Sequence, residues 1–163
     1  MGQLKVTMPS DREIAMTRVF DAPRKLVFDA HTKPELVRRW LLGPPGWSMP
    51  VCEMDLRVGG KYRWVWRSDS DGSTMGIGGV YREIVAPERI VSTERFDEAW
   101  YPGEGLNTLV LVEEGGRTTL TQTMRYQSTE ARDAVLKSGM EKGAAASYDR
   151  LAQLLASPSE ATR

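Results

Sequence analysis

The sequence predicts an α+β fold in which a curved antiparallel sheet of seven strands grips one long C-terminal helix. Three observations lead to this fold class: an alternating segment followed by two short helical segments, six short alternating segments with brief connections, and a final stretch with helical spacing. A chain of 163 residues is long enough to bury one hydrophobic core. We expect a single domain over residues 12–156, between a flexible N-terminal tail (1–11) and a frayed C-terminal tail (157–163).

The first strand and two short helices follow from a change of period. DREIAMTRVF alternates apolar and polar residues, which is typical of a strand. Asp21 and Pro23 then predict a helix start, and Lys33-Pro34-Glu35 predicts a second. The GPPG run at 43–46 ends this helical region. The two short helices therefore lie between the first and second predicted strands.

The middle of the chain has the pattern of an antiparallel meander. Its strands are VCEMDL, KYRWVWR, MGIGGVYREI, RIVSTERF, NTLVLVEE and RTTLTQTMRY. The connections are short, apart from EAWYPGEG, and the last hairpin turns at Gly115-Gly116. The stretch from Thr129 to Leu155 has apolar residues at helical spacing and predicts the long helix.

Composition narrows the function classes. The chain has 22 basic and 22 acidic residues, so no excess charge indicates a nucleic-acid partner or a membrane partner. Its single cysteine, Cys52, suits a reducing compartment and reads as a small buried residue, and no apolar run has the length of a membrane span. One histidine and one cysteine argue against a metal site. We expect a cytoplasmic protein, monomeric or homodimeric, with no cofactor.

One strand predicts an aromatic wall. In KYRWVWR the charged residues alternate with Tyr62, Trp64 and Trp66, so all three aromatic side chains are expected to face inward. Antiparallel pairing is expected to set Gly76 and Gly78 opposite the indoles, because glycine leaves room for bulky neighbours.

The hairpin through Pro87 permits two registers. If Ile84 and Ile90 face inward, strict alternation also brings Arg82, Ser92 and Glu94 inward, where the two charges must pair. A β-bulge would instead turn both charges to the solvent. The sequence leaves both open.

The last hairpin supplies further inward residues. The threonines of TLTQTM suit a solvated face, so Leu120, Gln122 and Met124 are expected to face inward. Pairing across Gly115-Gly116 is then expected to bring Val110, with Val112 and Thr108, to the same face.

Loops add aromatic candidates. Trp40 and Trp47 flank the GPPG run, either at a pocket mouth or as plugs of the core. Trp100 and Tyr101 stand beside Pro102 in a long loop and suggest a lid, because exposed aromatics are costly. The full set of predicted ligand-binding residues is Trp40, Trp47, Tyr62, Trp64, Trp66, Arg82, Ser92, Glu94, Phe96, Trp100, Tyr101, Val110, Gln122, Met124 and Met140.

Five segments, in order and spacing, carry a family resemblance: RVFDAPRKLVFDA, TKPELVRRW, DLRVGGKYRW, GGVYREIVAPERIV and SGMEKGAAASYDRLAQLL. Together they resemble the homologues of the activator of the heat-shock-protein-90 ATPase, within the SRPBCC group of START and Bet v 1-like domains. The resemblance implies a helix-grip fold with a deep pocket between the sheet and the C-terminal helix. The group includes lipid carriers, hormone receptors, aromatic-ring cyclases and a co-chaperone.

Three functions are compatible with these residues. The first is binding of a small, largely apolar molecule, aromatic or lipid-like, because an aromatic wall with few polar anchors is typical of a ligand pocket. The second is a cofactor-free enzyme of the polyketide cyclase or hydrolase type, with Arg82 orienting a substrate group and Glu94 as base. The third is a protein-interaction module of the co-chaperone kind. His31 is a further catalytic candidate, with helix capping or a surface position as the alternative.

Overall fold

The computed structural model describes residues 3–98 and 103–156. Within these ranges one antiparallel sheet of eight strands packs against four helices. The strands are β1 (Lys5–Thr7), β2 (Glu13–Phe20), β3 (Trp47–Met54), β4 (Lys61–Ser68), β5 (Thr74–Val85), β6 (Arg89–Phe96), β7 (Gly105–Glu114) and β8 (Arg117–Arg125). The helices are α1 (Arg24–Thr32), α2 (Pro34–Trp40), α3 (Thr129–Lys137) and α4 (Met140–Leu155). The spatial order of the strands is β1-β2-β8-β7-β6-β5-β4-β3.

The predicted count of seven strands is wrong, because the segment expected to be a flexible tail contains β1. Val6 pairs with Met16 of β2, and its side chain packs against the cluster around Ile14. An added strand satisfies the backbone groups that β2 would otherwise leave exposed at the sheet edge.

The predicted single helix over 129–155 is two helices. Ser138 caps the C-terminus of α3, and Gly139 follows with φ 83°, in the left-handed region. Glycine adopts that conformation without a steric penalty and commonly ends a helix. The chain therefore restarts as α4 at Met140.

The core lies between the sheet and α4. Tyr148, Leu151 and Leu154 of α4 are buried in one cluster with Phe20 and Leu120 of the sheet. Leu151 and Leu120 have no exposed surface. The C-terminal half of α4 therefore packs against the sheet through large side chains. Its N-terminal half has the small residues Gly143 and Ala144.

In the hairpin of β7 and β8, the face of β7 that points inward is the opposite of the predicted one. Glu114 pairs with Arg117 across the two-glycine turn, so Leu111 and Leu109 lie opposite Leu120 and Gln122. Since side chains alternate, Val110, Val112 and Thr108 lie on the outer face, and Val112 is 54% exposed. A pairing shifted by one residue reverses every side chain of a strand.

A β-bulge decides the orientation of Arg82. Tyr81 pairs with Ser92 and Glu83 with Val91, so β5 has an extra residue between these pairs. Arg82 and Glu83 are both exposed, while Glu94 on β6 faces inward. The predicted inward Arg82 and its pairing with Glu94 are therefore wrong, and so is the alternative in which both charges are solvated.

The glycines of β5 do not face the indoles either. Gly78 pairs with Arg63 and Gly76 with Val65, whereas Trp64 and Trp66 lie opposite Ile77 and Met75. A Cβ at position 76 would collide with Asp97, which forms an ion pair with Arg63. The absence of a side chain at Gly76 therefore leaves room on the outer face for the Arg63–Asp97 salt bridge.

No helix in the described ranges is both long enough and apolar enough to cross a membrane.

Candidate functional site: a two-chambered cavity

A cavity of two adjoining chambers lies between the sheet and the helices. The outer chamber has a volume of about 480 Å³ and is bounded by the 41–44 loop, the break between α3 and α4, and the N-terminal half of α4. The inner chamber, of about 260 Å³, lies deeper, against β4–β8 and the end of α1. The two chambers share six lining residues: Trp40, Leu41, Trp66, Met75, Phe96 and Gln122. A molecule could therefore occupy both.

Small residues on α4 create the outer chamber. Gly143, Ala144 and Ser147 lie on its lining, where larger side chains would fill the space. The Ser147 hydroxyl also accepts a hydrogen bond from the Gly43 N–H at 2.8 Å, and Arg150 donates to the Gly43 carbonyl at 2.6 Å. These bonds attach the GPPG loop to α4 and hold the loop over the cavity.

The aromatic wall has the predicted orientation. Tyr62, Trp64 and Trp66 all line the inner chamber, with ring centroids 4.7 Å apart for the first pair and 6.3 Å for the second. The Tyr62 hydroxyl donates to the Thr93 carbonyl at 2.6 Å, and the Trp66 Nε1–H donates to the Leu41 carbonyl at 2.7 Å. These bonds fix two of the three rings.

The Trp64 indole has a different environment. Its Nε1–H is buried and has no hydrogen-bond partner among the residues that the structure describes. A buried donor without a partner is costly. This N–H is therefore available to a bound molecule.

A row of polar side chains crosses the floor of the inner chamber. Ser92 lies opposite Asn107, and Leu109 lies opposite Gln122, so the polar groups occupy diagonal positions on three neighbouring strands. Glu94 continues the row on β6. The Gln122 Oε1 accepts a hydrogen bond from the Tyr148 hydroxyl, whose pKa is raised by burial.

Glu94 is the acidic residue of this row. Burial raises the pKa of its carboxyl from the usual 4.5 to about 7, and no charged neighbour in the described part of the chain contributes to this change. Asn107 Oδ1 is likewise buried with no partner in the described parts of the chain. The floor thus has polar atoms that the surrounding protein leaves unpaired.

His31 forms the end wall. Its Nδ1 lies 2.8 Å from the Val27 carbonyl oxygen, which can only accept, so Nδ1 carries the proton. Burial lowers the pKa of His31 to about 4, which keeps the ring neutral above pH 5. Its Nε2 is then an acceptor, and it too is buried without a partner in the described structure.

Most of the predicted binding residues lie on the cavity. They are Trp40, Trp47, Tyr62, Trp64, Trp66, Ser92, Glu94, Phe96, Gln122 and Met140, together with the catalytic candidate His31. Arg82 and Val110 lie on the outer face of the sheet, and Met124 is buried in a separate cluster with Ile14 and Tyr126. Trp100 and Tyr101 lie outside the described residues, and so does the proposed lid.

Several lining residues were not identified from the sequence. Asn107 and Leu109 were missed because of the error in hairpin register; correct pairing across the two-residue turn would have found both. Tyr81 was missed because of the bulge beside it. Tyr148 follows Ser147 on α4, and the helical spacing of 143 and 147 could have indicated it.

Comparison with known proteins agrees with this architecture. The family model described as "Activator of Hsp90 ATPase homolog 1-like protein" matches residues 21–156. The chain belongs to this family. No curated protein matches the chain.

Several solved structures have the same fold as this chain. A Rhodobacter sphaeroides protein is 32% identical, with a TM-score of 0.89 over 95% of this chain and 99% of its own. A Chromobacterium violaceum protein is 31% identical, with a TM-score of 0.76 over 88% and 96% of the two chains. An AHSA1-like protein from Aeromonas hydrophila is 15% identical, with a TM-score of 0.67 over 91% and 94%, and shows the likeness of fold alone.

Proposed function

We propose that this protein binds a small, largely apolar molecule, aromatic in at least one part, in the two-chambered cavity. The observation that supports this most is the shared boundary of the chambers, whose six common residues include two tryptophans and a phenylalanine. The larger chamber alone has the volume of a typical small-molecule site. Aromatic walls with a few polar atoms at one end favour a ligand that is apolar over most of its length.

The test uses a neutral, environment-sensitive dye, N-phenyl-1-naphthylamine, and two variants at one position. A Cβ at Gly143 would lie 3.6 Å from Pro44 Cδ, an ordinary contact, so Gly143→Ala should fold and bind. Gly143→Leu places three further carbons in the outer chamber. We expect saturable dye binding by the wild type and Gly143→Ala, and about tenfold weaker binding by Gly143→Leu.

The proposal fails if the folded wild type gives no saturable dye signal, or if Gly143→Leu binds as tightly as Gly143→Ala. Circular dichroism and denaturant melts establish that each variant is folded. Trp64→Phe and Trp64→Ala form a second pair: we expect weaker dye binding when the ring is removed and little change when it is replaced.

A second candidate, acid–base chemistry without a cofactor, is favoured by one observation. Glu94 has a pKa of about 7 inside the chamber, near the value that suits a general acid or base at neutral pH. The partner expected from the sequence, Arg82, lies outside the cavity, so Glu94 would act without it. The test is deuterium exchange at the α-carbon of 1-acetonaphthone in D₂O, followed by NMR. Exchange catalysed by the wild type and lost in Glu94→Gln supports this candidate, and exchange equal to buffer removes it for such ketones.

A further inference from the structure

The cavity has an asymmetric set of charges. Among the lining residues that the structure describes, Glu94 is the one acidic residue, and there is no lysine and no arginine. The outer chamber has no charged side chain among its described residues. An anionic ligand would therefore face the Glu94 carboxyl group and no cationic side chain among the described residues. A cationic ligand would find a counter-charge in Glu94.

Among the residues that the structure describes, no cationic side chain is paired with Glu94. Burial shifts the pKa of its carboxyl upward, and no cation from residues 3–98 or 103–156 contributes. The inward-facing arginine of β2, Arg18, is paired with Asp149 at 2.7 Å and lies on neither chamber. The ionised form of a desolvated carboxyl group is stabilised when a positive group is brought to it.

The neighbouring groups suit a protonated amine. Tyr62, Trp64 and Tyr81 line the chamber with centroid separations of 4.7 and 5.5 Å, and aromatic faces attract organic cations. His31 Nε2 and Asn107 Oδ1 are unpaired acceptors in the described structure, and an ammonium group has N–H donors for both.

We propose that the inner chamber receives the protonated primary or secondary amine of an aromatic ligand, with Glu94 as its counter-ion. This inference rests on the proposed binding function and names the class of ligand: an amphipathic organic cation whose apolar body extends into the outer chamber. The ammonium group donates to Glu94, and its remaining N–H donors are available to the unpaired acceptors on the same chamber, His31 Nε2 and Asn107 Oδ1.

Binding of such a cation is linked to protonation of Glu94. The titratable groups that line the cavity with it are His31 from α1, Tyr62 from β4, Tyr81 from β5 and Tyr148 from α4. His31 is neutral above pH 5, and burial raises the pKa of Tyr81 and of Tyr148. Glu94 is therefore the group that changes charge near neutral pH. The amine favours its ionised form, so binding releases a proton below about pH 7 and strengthens as the pH rises from 5 to 7.

The experiment compares two probes of the same shape by isothermal titration calorimetry: 2-(2-naphthyl)ethylamine, protonated at pH 8, and the neutral 2-(2-naphthyl)ethanol. We expect the wild type to bind the amine about tenfold more tightly than the alcohol, as for a charge-assisted bond in place of a neutral one. Glu94→Gln should lose this preference and bind the two probes with equal affinity. Glu114→Gln, the same change at an exposed position on β7, should behave as the wild type.

Proton release provides a second readout. At pH 6.5, titrations in two buffers of different ionisation enthalpy should show release with the amine and none with the alcohol. Equal affinities of the wild type for the two probes, or a preference that persists in Glu94→Gln, overturn the inference while leaving the binding function intact. If neither probe binds and the neutral dye also fails to bind, both the inference and the proposed function are overturned.

Discussion

Replacing Glu94 by glutamine should make the protein more stable at neutral and alkaline pH. Folding raises the pKa of this carboxyl from the usual 4.5 to about 7, because burial disfavours the charged form. At 1.36 kcal/mol per unit, the folded state of the wild type is disfavoured by about 3 kcal/mol once Glu94 is ionised in both states. Glutamine has nearly the same shape and no charge, so it removes this penalty.

The sign of the pH dependence follows from proton counts. Between pH 4.5 and 7 the folded protein retains a proton at Glu94 that the unfolded chain has lost, so stability falls as the pH rises through this window. Below pH 4.5 both states hold the proton, and this contribution to stability is fully present. The difference between Glu94→Gln and the wild type should therefore be small at pH 4, grow through pH 7, and level off by pH 8.

The assay is urea denaturation at pH values from 4 to 9, with the free energy of unfolding extrapolated for the wild type, Glu94→Gln and Glu114→Gln. The control at the exposed position 114 should change stability by under about 0.5 kcal/mol throughout. A Glu94→Gln variant that gains no stability between pH 5 and 8, or loses it, would refute the conclusion that desolvation raises the pKa of Glu94 in the folded protein.

Three further changes test the packing around the cavity. Gly143→Ala should raise the free energy of unfolding by about 0.5–1 kcal/mol, because alanine is the better helix former and its Cβ would lie 3.6 Å from Pro44 Cδ, an ordinary contact. A loss of stability in the same urea melts would mean that position 143 has less space than this contact indicates. Thr118→Val should lower the free energy of unfolding by about 1–3 kcal/mol, because the fully buried hydroxyl donates to the Ala22 carbonyl at 2.7 Å and valine leaves that carbonyl unpaired. An unchanged melting temperature would argue that water replaces the bond. Arg82→Met should change the free energy of unfolding by under about 0.5 kcal/mol, because the side chain is exposed. A loss of several kcal/mol in thermal melts would indicate that the side chain is buried.

The elements of this fold could be predicted from local periodicity, but the cavity floor could not. Alternation in KYRWVWR predicted the inward wall correctly, since three aromatics and three charges leave one reasonable orientation. The hairpin of β7 and β8 offered no such contrast: LNTLVLV has apolar residues on both faces, so only the pairing across Gly115-Gly116 determines which face is buried.

Two other differences depend on single residues. The bulge at Arg82 changes the register of β5 by one residue, and no turn or charge pattern in the sequence specifies it. The break at Gly139 could be anticipated, because Ser-Gly after Lys137 is a common helix end. Apolar residues at helical spacing occur on both sides of Gly139, so the sequence pattern is that of one uninterrupted helix.

The measurement that tests the cavity most directly is a methyl NMR titration of protein labelled with [¹³C-methyl]methionine. Met16, Met75 and Met140 line the outer chamber, whereas Met8 is exposed elsewhere. Saturation with N-phenyl-1-naphthylamine should shift the three chamber methyls together, through ring currents of the bound dye, and leave Met8 unchanged. Dye binding that moves Met8 while the chamber methyls stay in place would contradict the assignment of this cavity as the binding site.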